Sequence, residues 1–342
     1  MRLPPIFVVT AALLASCGSP HKGTPADEQL EELSGAQGFG FRIAAFDVAA
    51  GTEEQDCYFV QVPGTGVDPV WIDRIKAGVN PGSHHFNVFR VKTIVNLDGA
   101  PGDVVKNGEC FKSGNWADWP LVVNTQNSEA GNPYYELDAP SGVAYRFTPG
   151  EKLMLQTHYV NATTQTTPTR AKVDINFYKS ADAAPIEMGT LFATQQSIRV
   201  CQSNPTPTYF GSCSFGATAG VHVAAANAHF HSRGKQFDIF TWDGTSTTTP
   251  PVADRFYQST RWDDPPMVTG LDVRPPANGG VWWTCSYQWQ PPADGCAALN
   301  AADPQQANDC CYTFGPRVEK NEHCNIFVYY WPAQGAGSIF CN

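Results

Sequence analysis

Residues 279–289, GGVWWTCSYQW, decide the fold class, because Val, Trp, Thr and Tyr are residues that β-strands favour. Seven further stretches share this composition, and several of them alternate between apolar and polar residues. They are 38–48, 56–62, 86–97, 152–161, 171–179, 235–242 and 324–332. Clusters of Pro, Gly, Asn and Asp lie between them and predict turns. We therefore expect an all-β chain of antiparallel sandwiches or jelly rolls, with short helical patches only at 27–33 and 71–78.

The composition predicts a sizeable core and argues against one class of partner. Of the 342 residues, 42% are hydrophobic, and this length is typical of about two domains. The 32 acidic residues exceed the 22 basic ones and give a formal net charge of −10, which argues against a nucleic-acid partner. The break between two runs of strands falls in SADAAPIEM (180–188), so we expect domains at 37–182 and 183–342.

The N-terminal residues have the pattern of an export signal. A positive residue, Arg2, precedes the apolar run 5–15, which is too short for a membrane span, and LASC ending at Cys17 resembles the bacterial lipoprotein box. We expect a signal peptide at 1–16, a lipidated Cys17 and a flexible tether at 17–36. An ordinary signal with cleavage nearby is the alternative. The lipoprotein interpretation predicts an exported protein, facing the periplasm or the cell surface, held to the outer membrane through its lipid anchor only.

The cysteines predict disulfides. Ten of the eleven remain when Cys17 is set aside, and an even number in an exported chain predicts up to five bonds. No CxxC pair occurs, which argues against a thiolate zinc site and against thioredoxin chemistry.

Histidines carry the main functional signal. In HFH, His229 and His231 share one face of a strand, as a metal site on a rigid sheet requires. The adjacent His84 and His85 point to opposite faces of an ideal strand, so they could share an ion only at a bulge or a strand end, which Gly82 permits. Imidazole suits zinc, copper, iron or nickel. Taken alone, each motif also fits a polar surface pair or a structural pair.

Two further histidines are ambiguous by themselves. His158 in LQTHY also fits a half-buried structural histidine, and His323 in NEHCN also fits a cap on a disulfide at Cys324. No HExxH, GxSxG or phosphate-binding loop is present, and no Glu follows the HFH pair at the spacing of a cupin.

Taken in order, HH (84–85), LQTHY (155–159), HVAAANAHFHSRGK (222–235) and EHCNIFVYY (322–330) resemble the ascorbate-dependent type 2 copper monooxygenases. This family includes peptidylglycine α-hydroxylating monooxygenase and dopamine β-monooxygenase, and the resemblance covers about residues 38–341. It implies two antiparallel β-sandwich, jelly-roll-like domains with a cleft between them, each holding one copper ion. It also implies hydroxylation of an activated C–H bond of a small molecule by O2 and a reductant such as ascorbate.

The resemblance assigns six histidines to the two coppers. They are His84, His85 and His158 for the electron-transfer copper, and His229, His231 and His323 for the copper that binds oxygen, where catalysis takes place. His323 occupies the position of the family's Met, and because thioether favours Cu(I) whereas imidazole serves Cu(II) well, it should shift the redox balance toward Cu(II). The same comparison adds Gln156 and His222 as residues that support the ligands.

The expected substrate contacts differ from those of the peptide-hydroxylating relatives. Asn227 stands where those relatives have an Arg that holds the substrate carboxylate, Phe327 stands in place of a Tyr, and Asn325 is kept. Because Asn cannot replace a bidentate Arg contact, we expect no α-amidation of peptides. A non-enzymatic copper-binding or electron-transfer lipoprotein is the alternative function, and a histidine-rich sandwich without metal is a third.

The resemblance also implies disulfide pairs. Cys57 with Cys110 and Cys285 with Cys324 match disulfides of the family. For the other six cysteines we expect Cys201 to pair with Cys213, and Cys296, Cys310, Cys311 and Cys341 to pair among themselves.

Overall fold

The structure is a computed structural model that describes most of the chain. The described residues are 30–80, 82–92, 100–106, 119–126, 134–161, 169–216, 220–300, 309–335 and 337–342. The expected signal peptide, the expected lipidation site Cys17 and most of the tether lie outside these residues. Across the described ranges, no helix has the length and apolar character that crossing a bilayer requires.

Within the described residues, eleven strands before residue 188 form two sheets. They are β1 (Gly38–Val48), β2 (Thr52–Gln61), β3 (Val70–Val79), β4 (Ser83–Arg90), β5 (Val104–Val105), β6 (Leu121–Gln126), β7 (Tyr134–Asp138), β8 (Val143–Phe147), β9 (Lys152–Asn161), β10 (Thr169–Lys179) and β11 (Ile186–Glu187). One sheet has the order β1-β10-β3-β8-β11, with β7 also paired to β3, and the other has the order β5-β2-β9-β4-β6. The pairs are antiparallel except for β11 on β8. Apolar side chains of both sheets form one core.

The described residues of the second half form three sheets, a short 3-10 helix and one short α-helix. The elements are β12 (Gly189–Thr194), β13 (Arg199–Cys201), β14 (Thr208–Ser214), β15 (His222–His229), β16 (Gly234–Trp242), the 3-10 helix Val252–Asp254, β17 (Arg255–Ser259), β18 (Gly280–Tyr287), α1 (Cys296–Asn300), β19 (Cys311–Phe314), β20 (Asn321–Glu322), β21 (Asn325–Trp331) and β22 (Ser338–Cys341). The sheet orders are β15-β21-β12-β22, β14-β18-β16-β17 and β13-β19-β20. The prediction of an all-β, sandwich-like fold is confirmed.

The sheet β15-β21-β12-β22 joins the halves, and its strands β15, β21 and β12 are largely buried on both faces. On β21, Ile326 and Val328 belong to the core of the second half, whereas Phe327 and Tyr329 pack into the core of the first half. This alternation is the ordinary two-face geometry of a strand, here with apolar contacts on each side. The Tyr329 hydroxyl accepts a hydrogen bond from the Asn124 backbone N–H at 2.8 Å. The contact between the halves at this sheet is therefore packed.

The segment 71–78 is a strand, so the prediction of a helix there is wrong. It lies inside β3, which pairs with β10 on one side and with β7 and β8 on the other. Ile72 and Ile75 are both buried at a spacing of three, which imitates a helical period. The register shift opposite Tyr178 and Lys179 explains this spacing, because a bulge inserts one residue into the alternation. In the other patch, residues 30–33 have no helical structure.

Four disulfides have both cysteines among the described residues. They are Cys201–Cys311, Cys213–Cys341, Cys285–Cys324 and Cys296–Cys310. The expected Cys285–Cys324 pair is confirmed, whereas the expected Cys201–Cys213 pair is wrong. Of the four cysteines expected to pair among themselves, Cys296 and Cys310 do so, but Cys311 and Cys341 pair with Cys201 and Cys213. Cys201 on β13 lies opposite Cys311 on β19, and Cys213 is in a different sheet. Cys57 is also disulfide-bonded, and its expected partner Cys110 lies outside the described residues.

Candidate metal centre

Six histidines converge at the junction of the two halves. Their side chains are buried, with 0 to 5% of each residue exposed. Neighbouring ring centroids lie 4.4 to 5.3 Å apart. The members of this cluster, called the histidine cluster below, are His84, His85, His158, His229, His231 and His323.

The first-half histidines are positioned by two paired strands. His85 on β4 lies directly opposite His158 on β9. A register shift lies between Ser83 and His85, just after Gly82, whose φ is 96°. This irregularity changes the facing of consecutive residues, so His84 and His85 are both buried in the cluster although they are adjacent in sequence.

The second-half histidines are fixed by a buried carboxylate. Glu322 accepts the backbone N–H groups of His231 at 3.0 Å and of Arg233 at 2.9 Å, and its carboxylate lies 3.3 Å from the Arg233 Nε. Burial raises the pKa of Glu322 to about 7, although Arg233 and these N–H groups lower it. His323 follows Glu322 directly and stacks on Phe314 at 4.8 Å. One carboxylate therefore ties the HFH turn to the strand end that carries His323.

Four ring nitrogens of the histidine cluster are buried without a hydrogen-bond partner among the described residues. They are the Nε2 atoms of His84, His229, His231 and His323. For His231 the tautomer follows from its surroundings, because Nδ1 donates to the Asn321 carbonyl at 2.9 Å and Nε2 then keeps its lone pair. A buried polar atom without a partner is costly, and a lone pair of this kind is what a metal ion binds.

Five imidazoles of the cluster, those of His84, His85, His229, His231 and His323, are held in the neutral form. Burial lowers the pKa of His84, His85, His229 and His231 well below 6.5, and neighbouring histidines lower it further. Burial and His158 lower the pKa of His323 to about 3. Neutral imidazole is the form that binds metals, so the site is suited to a cation.

His85 and His158 are hydrogen-bonded to each other. The Asn87 amide donates to His85 Nδ1 at 3.3 Å, which leaves the proton on His85 Nε2. That N–H donates to His158 Nδ1 at 3.3 Å, and His158 Nε2–H donates to Glu53 at 3.0 Å. Burial alone would raise the pKa of Glu53, but the hydrogen bond and the charge of His158 lower it. Glu53 also accepts a hydrogen bond from the Val318 N–H at 3.2 Å, so this series of hydrogen bonds extends to the second half.

A series of buried amides connects the two sides of the cluster. Asn87 donates to Gln156 at 2.9 Å and accepts from Asn124. Asn124 accepts from Gln126 at 3.1 Å and from Asn227 at 2.5 Å, and Gln126 contacts His229 Nδ1. Gln156 therefore supports the cluster through Asn87, and Asn227 belongs to the amide series. Asn87, Asn124 and Gln126, like Glu53, escaped the sequence analysis because no local motif marks them, and Glu322 was quoted in the EHCN motif without a role.

His222 lies outside the histidine cluster. It begins β15 whereas His229 ends it, a separation of roughly 20 Å along a strand. Its Nδ1 is 2.5 Å from Asp272, and its ring stacks on Trp331 at 4.0 Å.

A small pocket opens beside the cluster, with about 10 Å³ of space, roughly one water molecule. The expected substrate residues Asn325 and Phe327 line it, and Asn227 is buried nearby. Asn325 Oδ1 is buried and has no hydrogen-bond partner among the described residues, and Asn325 Nδ2 is 3.3 Å from His323 Nδ1. The other lining residues are His85, Asn87, Phe89, Asn124, Phe192, His229 and His323.

Comparison with known proteins adds no family assignment. No protein-family model matches the chain, and no curated protein matches it. Among solved structures it is similar to the PBSX exported protein XepA, at 7% identity over 75% of this chain and 89% of that one, with a TM-score of 0.23. It is also similar to the N-terminal CBM22 tandem domain of Paenibacillus barcinonensis Xyn10C, at 9% identity over 84% and 81%, with a TM-score of 0.17. Likenesses this weak carry no argument about function.

Proposed function

We propose that the protein is a copper-dependent monooxygenase that hydroxylates an activated C–H bond of a small molecule, using O2 and a reductant such as ascorbate. The main support is the histidine cluster, in which four buried Nε2 atoms have no hydrogen-bond partner among the described residues. These four donors are neutral nitrogen, a set that fits copper. The order of the histidine motifs, which resembles the copper monooxygenases, favours copper over zinc, iron or nickel.

The histidines would share the work of holding copper. Under this proposal His229, His231 and His323 are the catalytic residues, because they would hold the copper at which O2 reacts. His84, His85 and His158 would provide ligands from the first half. Copper, when bound, supplies the one-electron redox chemistry and the activation of O2. The surrounding protein keeps the imidazoles neutral, fixes their orientation through Glu322 and Asn321, and excludes bulk water.

The proposed substrate is small and lacks a carboxylate. The nine residues that line the pocket are His, Asn and Phe, and none of them carries a permanent charge. Asn227, in the position where the peptide-hydroxylating relatives have an Arg, offers no ionic partner and already donates to Asn124. A neutral substrate with an apolar body suits Phe327 and the unpartnered oxygen of Asn325.

Oxygen uptake tests this proposal. Copper-loaded protein with ascorbate and a panel of small neutral substrates should consume O2 and yield hydroxylated product. His229→Ala should abolish this uptake with its fold intact, because it removes a proposed ligand. His222→Ala is the matched control, since His222 lies at the far end of the same strand. Equal turnover in His229→Ala and the control would contradict the proposal.

A non-enzymatic copper-binding or electron-transfer role is the second candidate. The observation that favours it is the pocket of about 10 Å³ among buried ligands, which leaves no room for an organic substrate without movement of the halves. Under this role the protein would bind copper through the same histidines, yet no substrate of the panel would be hydroxylated.

We also propose that the protein is an exported bacterial lipoprotein, held to the outer membrane through Cys17. The lipoprotein-box sequence supports this, and four disulfides are typical of an oxidising compartment. Wild-type protein should partition with membranes and incorporate labelled fatty acid, and Cys17→Ser should do neither. Equal incorporation in both would contradict the proposal.

A further inference from the structure

We propose that His84 is a ligand of the same metal ion as His229, His231 and His323, so that one ion joins the two halves of the chain. The six histidines would then group as four and two, in place of the three and three that the sequence resemblance implies. Copper as the metal rests on the proposed function, whereas the grouping of the ligands rests on geometry alone.

The position of His84 supports this grouping. One ligand atom from each of His84, His229 and His231 can be chosen so that all three lie within 4.8 Å of one another. The His84 ring centroid is 4.8 Å from that of His229, but 5.3 Å from His85 and 5.1 Å from His158. His84 is thus at least as close to the second half as to its own neighbours. Metal–nitrogen bonds of about 2.0–2.1 Å place neighbouring ligand atoms about 3.3–3.5 Å apart, so the three ligand atoms would move together by up to about 1.5 Å when an ion binds.

The ring nitrogens that lack hydrogen-bond partners divide the histidines in the same way. The Nε2 atoms of His84, His229, His231 and His323 lack hydrogen-bond partners among the described residues. The ring nitrogens of His85 and His158 all have partners, because they belong to the series of hydrogen bonds that runs from Asn87 to Glu53. Binding an ion at the first four therefore satisfies buried atoms, whereas binding at the other two requires existing hydrogen bonds to break.

The local backbone explains how neighbouring histidines come to serve different groups. Consecutive residues of a strand point in different directions, and the register shift between Ser83 and His85 lies at the junction of the two halves. The adjacent rings of His84 and His85 can therefore face different partners. His85 meets His158 across the β4–β9 pair, while His84 comes within 5.3 Å of the His231 ring. His323 is not among the three residues whose ligand atoms lie within 4.8 Å of one another, but its ring lies 4.4 Å from that of His231 and 5.0 Å from that of His229, and its Nε2 is also without a partner among the described residues.

Copper binding to single and double variants tests the grouping. Metal-free full-length protein is titrated with Cu(II) against a competing chelator, and bound copper is counted by mass spectrometry and by its paramagnetic resonance signal. His84→Ala and His229→Ala should each weaken the same signal at least about 100-fold, because outer contacts alone are worth 10- to 100-fold. The double variant should lose the same single ion and no other, since both side chains serve that ion. In His158→Ala the ion whose signal depends on His229 should still be bound, because the His158 nitrogens are already paired with His85 and Glu53.

Two outcomes separate this inference from the proposed function. If His84→Ala and His158→Ala remove one ion together while the signal that depends on His229 persists, the grouping is overturned and the copper function stands. If folded wild-type protein binds no copper, both fail. Circular dichroism and tryptophan fluorescence check the fold, His84→Gln replaces His84→Ala if the latter does not fold, and His222→Ala should behave as wild type.

Discussion

The metal-free protein should lose stability steeply as the pH falls below neutrality. Five histidines have folded pKa values lowered by burial, whereas the ordinary value in an unfolded chain is about 6.5. Below about pH 6.5 these histidines therefore bind protons in the unfolded chain but not in the folded chain. The stability that depends on these neutral imidazoles is fully present above about pH 6.5 and is lost as the pH falls. The five are His84, His85, His229, His231 and His323.

The size of this loss follows from the number of groups. Between pH 7.5 and 5.5, each histidine that stays neutral in the fold shifts the folding equilibrium about tenfold toward the unfolded chain, and five such shifts equal about 7 kcal/mol. Glu322 acts in the opposite direction, because its folded pKa is raised to about 7 and its proton is retained by the fold. Between pH 7.5 and 5.5, protonation of Glu322 stabilises the folded state by about 2 kcal/mol. The net expected loss is about 5 kcal/mol, a large part of the stability of an ordinary domain.

Urea unfolding in the presence of a chelator measures this loss. Tryptophan fluorescence at several pH values gives the free energy of unfolding, and its slope against pH gives the number of protons taken up on unfolding. We expect about three protons near pH 6, from the five histidines and the opposing Glu322. His323→Asn should reduce this number by about one, because it removes one histidine whose pKa is lowered by burial. A slope below about one proton would show that the cluster is hydrated or already protonated, and would refute the reasoning.

Three further predictions concern the support of the site. Glu322→Gln should lower the free energy of unfolding by about 3 kcal/mol, because the buried Arg233 loses its carboxylate partner. The control Glu319→Gln, at an exposed residue, should change it by less than about 0.5 kcal/mol. Equal losses of the two variants in urea unfolding would contradict this prediction. Cys285→Ser with Cys324→Ser should cost about 4 kcal/mol in the same assay, because the bond closes a 39-residue separation, and a loss below about 1 kcal/mol would count against it. Adding Cu(II) at about 100 times its dissociation constant should stabilise the metal-free fold by about 3 kcal/mol, whereas Mg²⁺ should not, and an unchanged melting temperature would show that the folded state does not bind copper preferentially.

Composition predicted most strands, because their side chains face a core. The stretch 279–289 contains β18, whose buried Val281 and Trp283 are typical strand residues. β15 was not predicted from composition, since HVAAANAH is rich in Ala, a residue that strands disfavour. Its alanines are buried nonetheless, two in the core of each half.

The candidate site could be predicted in its members but not in its grouping. Strand periodicity and motif order brought the six histidines forward, because imidazoles at such spacings are recognisable without a structure. The partition depends on Asn87 and Glu53, which occupy the ring nitrogens of His85 and His158. These contacts join strands far apart in sequence, and only the register of β2, β4 and β9 brings them together.

The shared sheet has a consequence for any attempt to divide the molecule. In a fragment that begins at β12, the side chains of Phe192, Phe327 and Tyr329 would lose their contacts with the first half and form an exposed hydrophobic surface. Such a surface invites self-association, so the fragment should precipitate or demand detergent when it is expressed alone. The complementary piece, ending at β11, would lose the lid over its own interior. Each half therefore depends on the other for its fold, and the two are expected to fold and to be degraded as one unit.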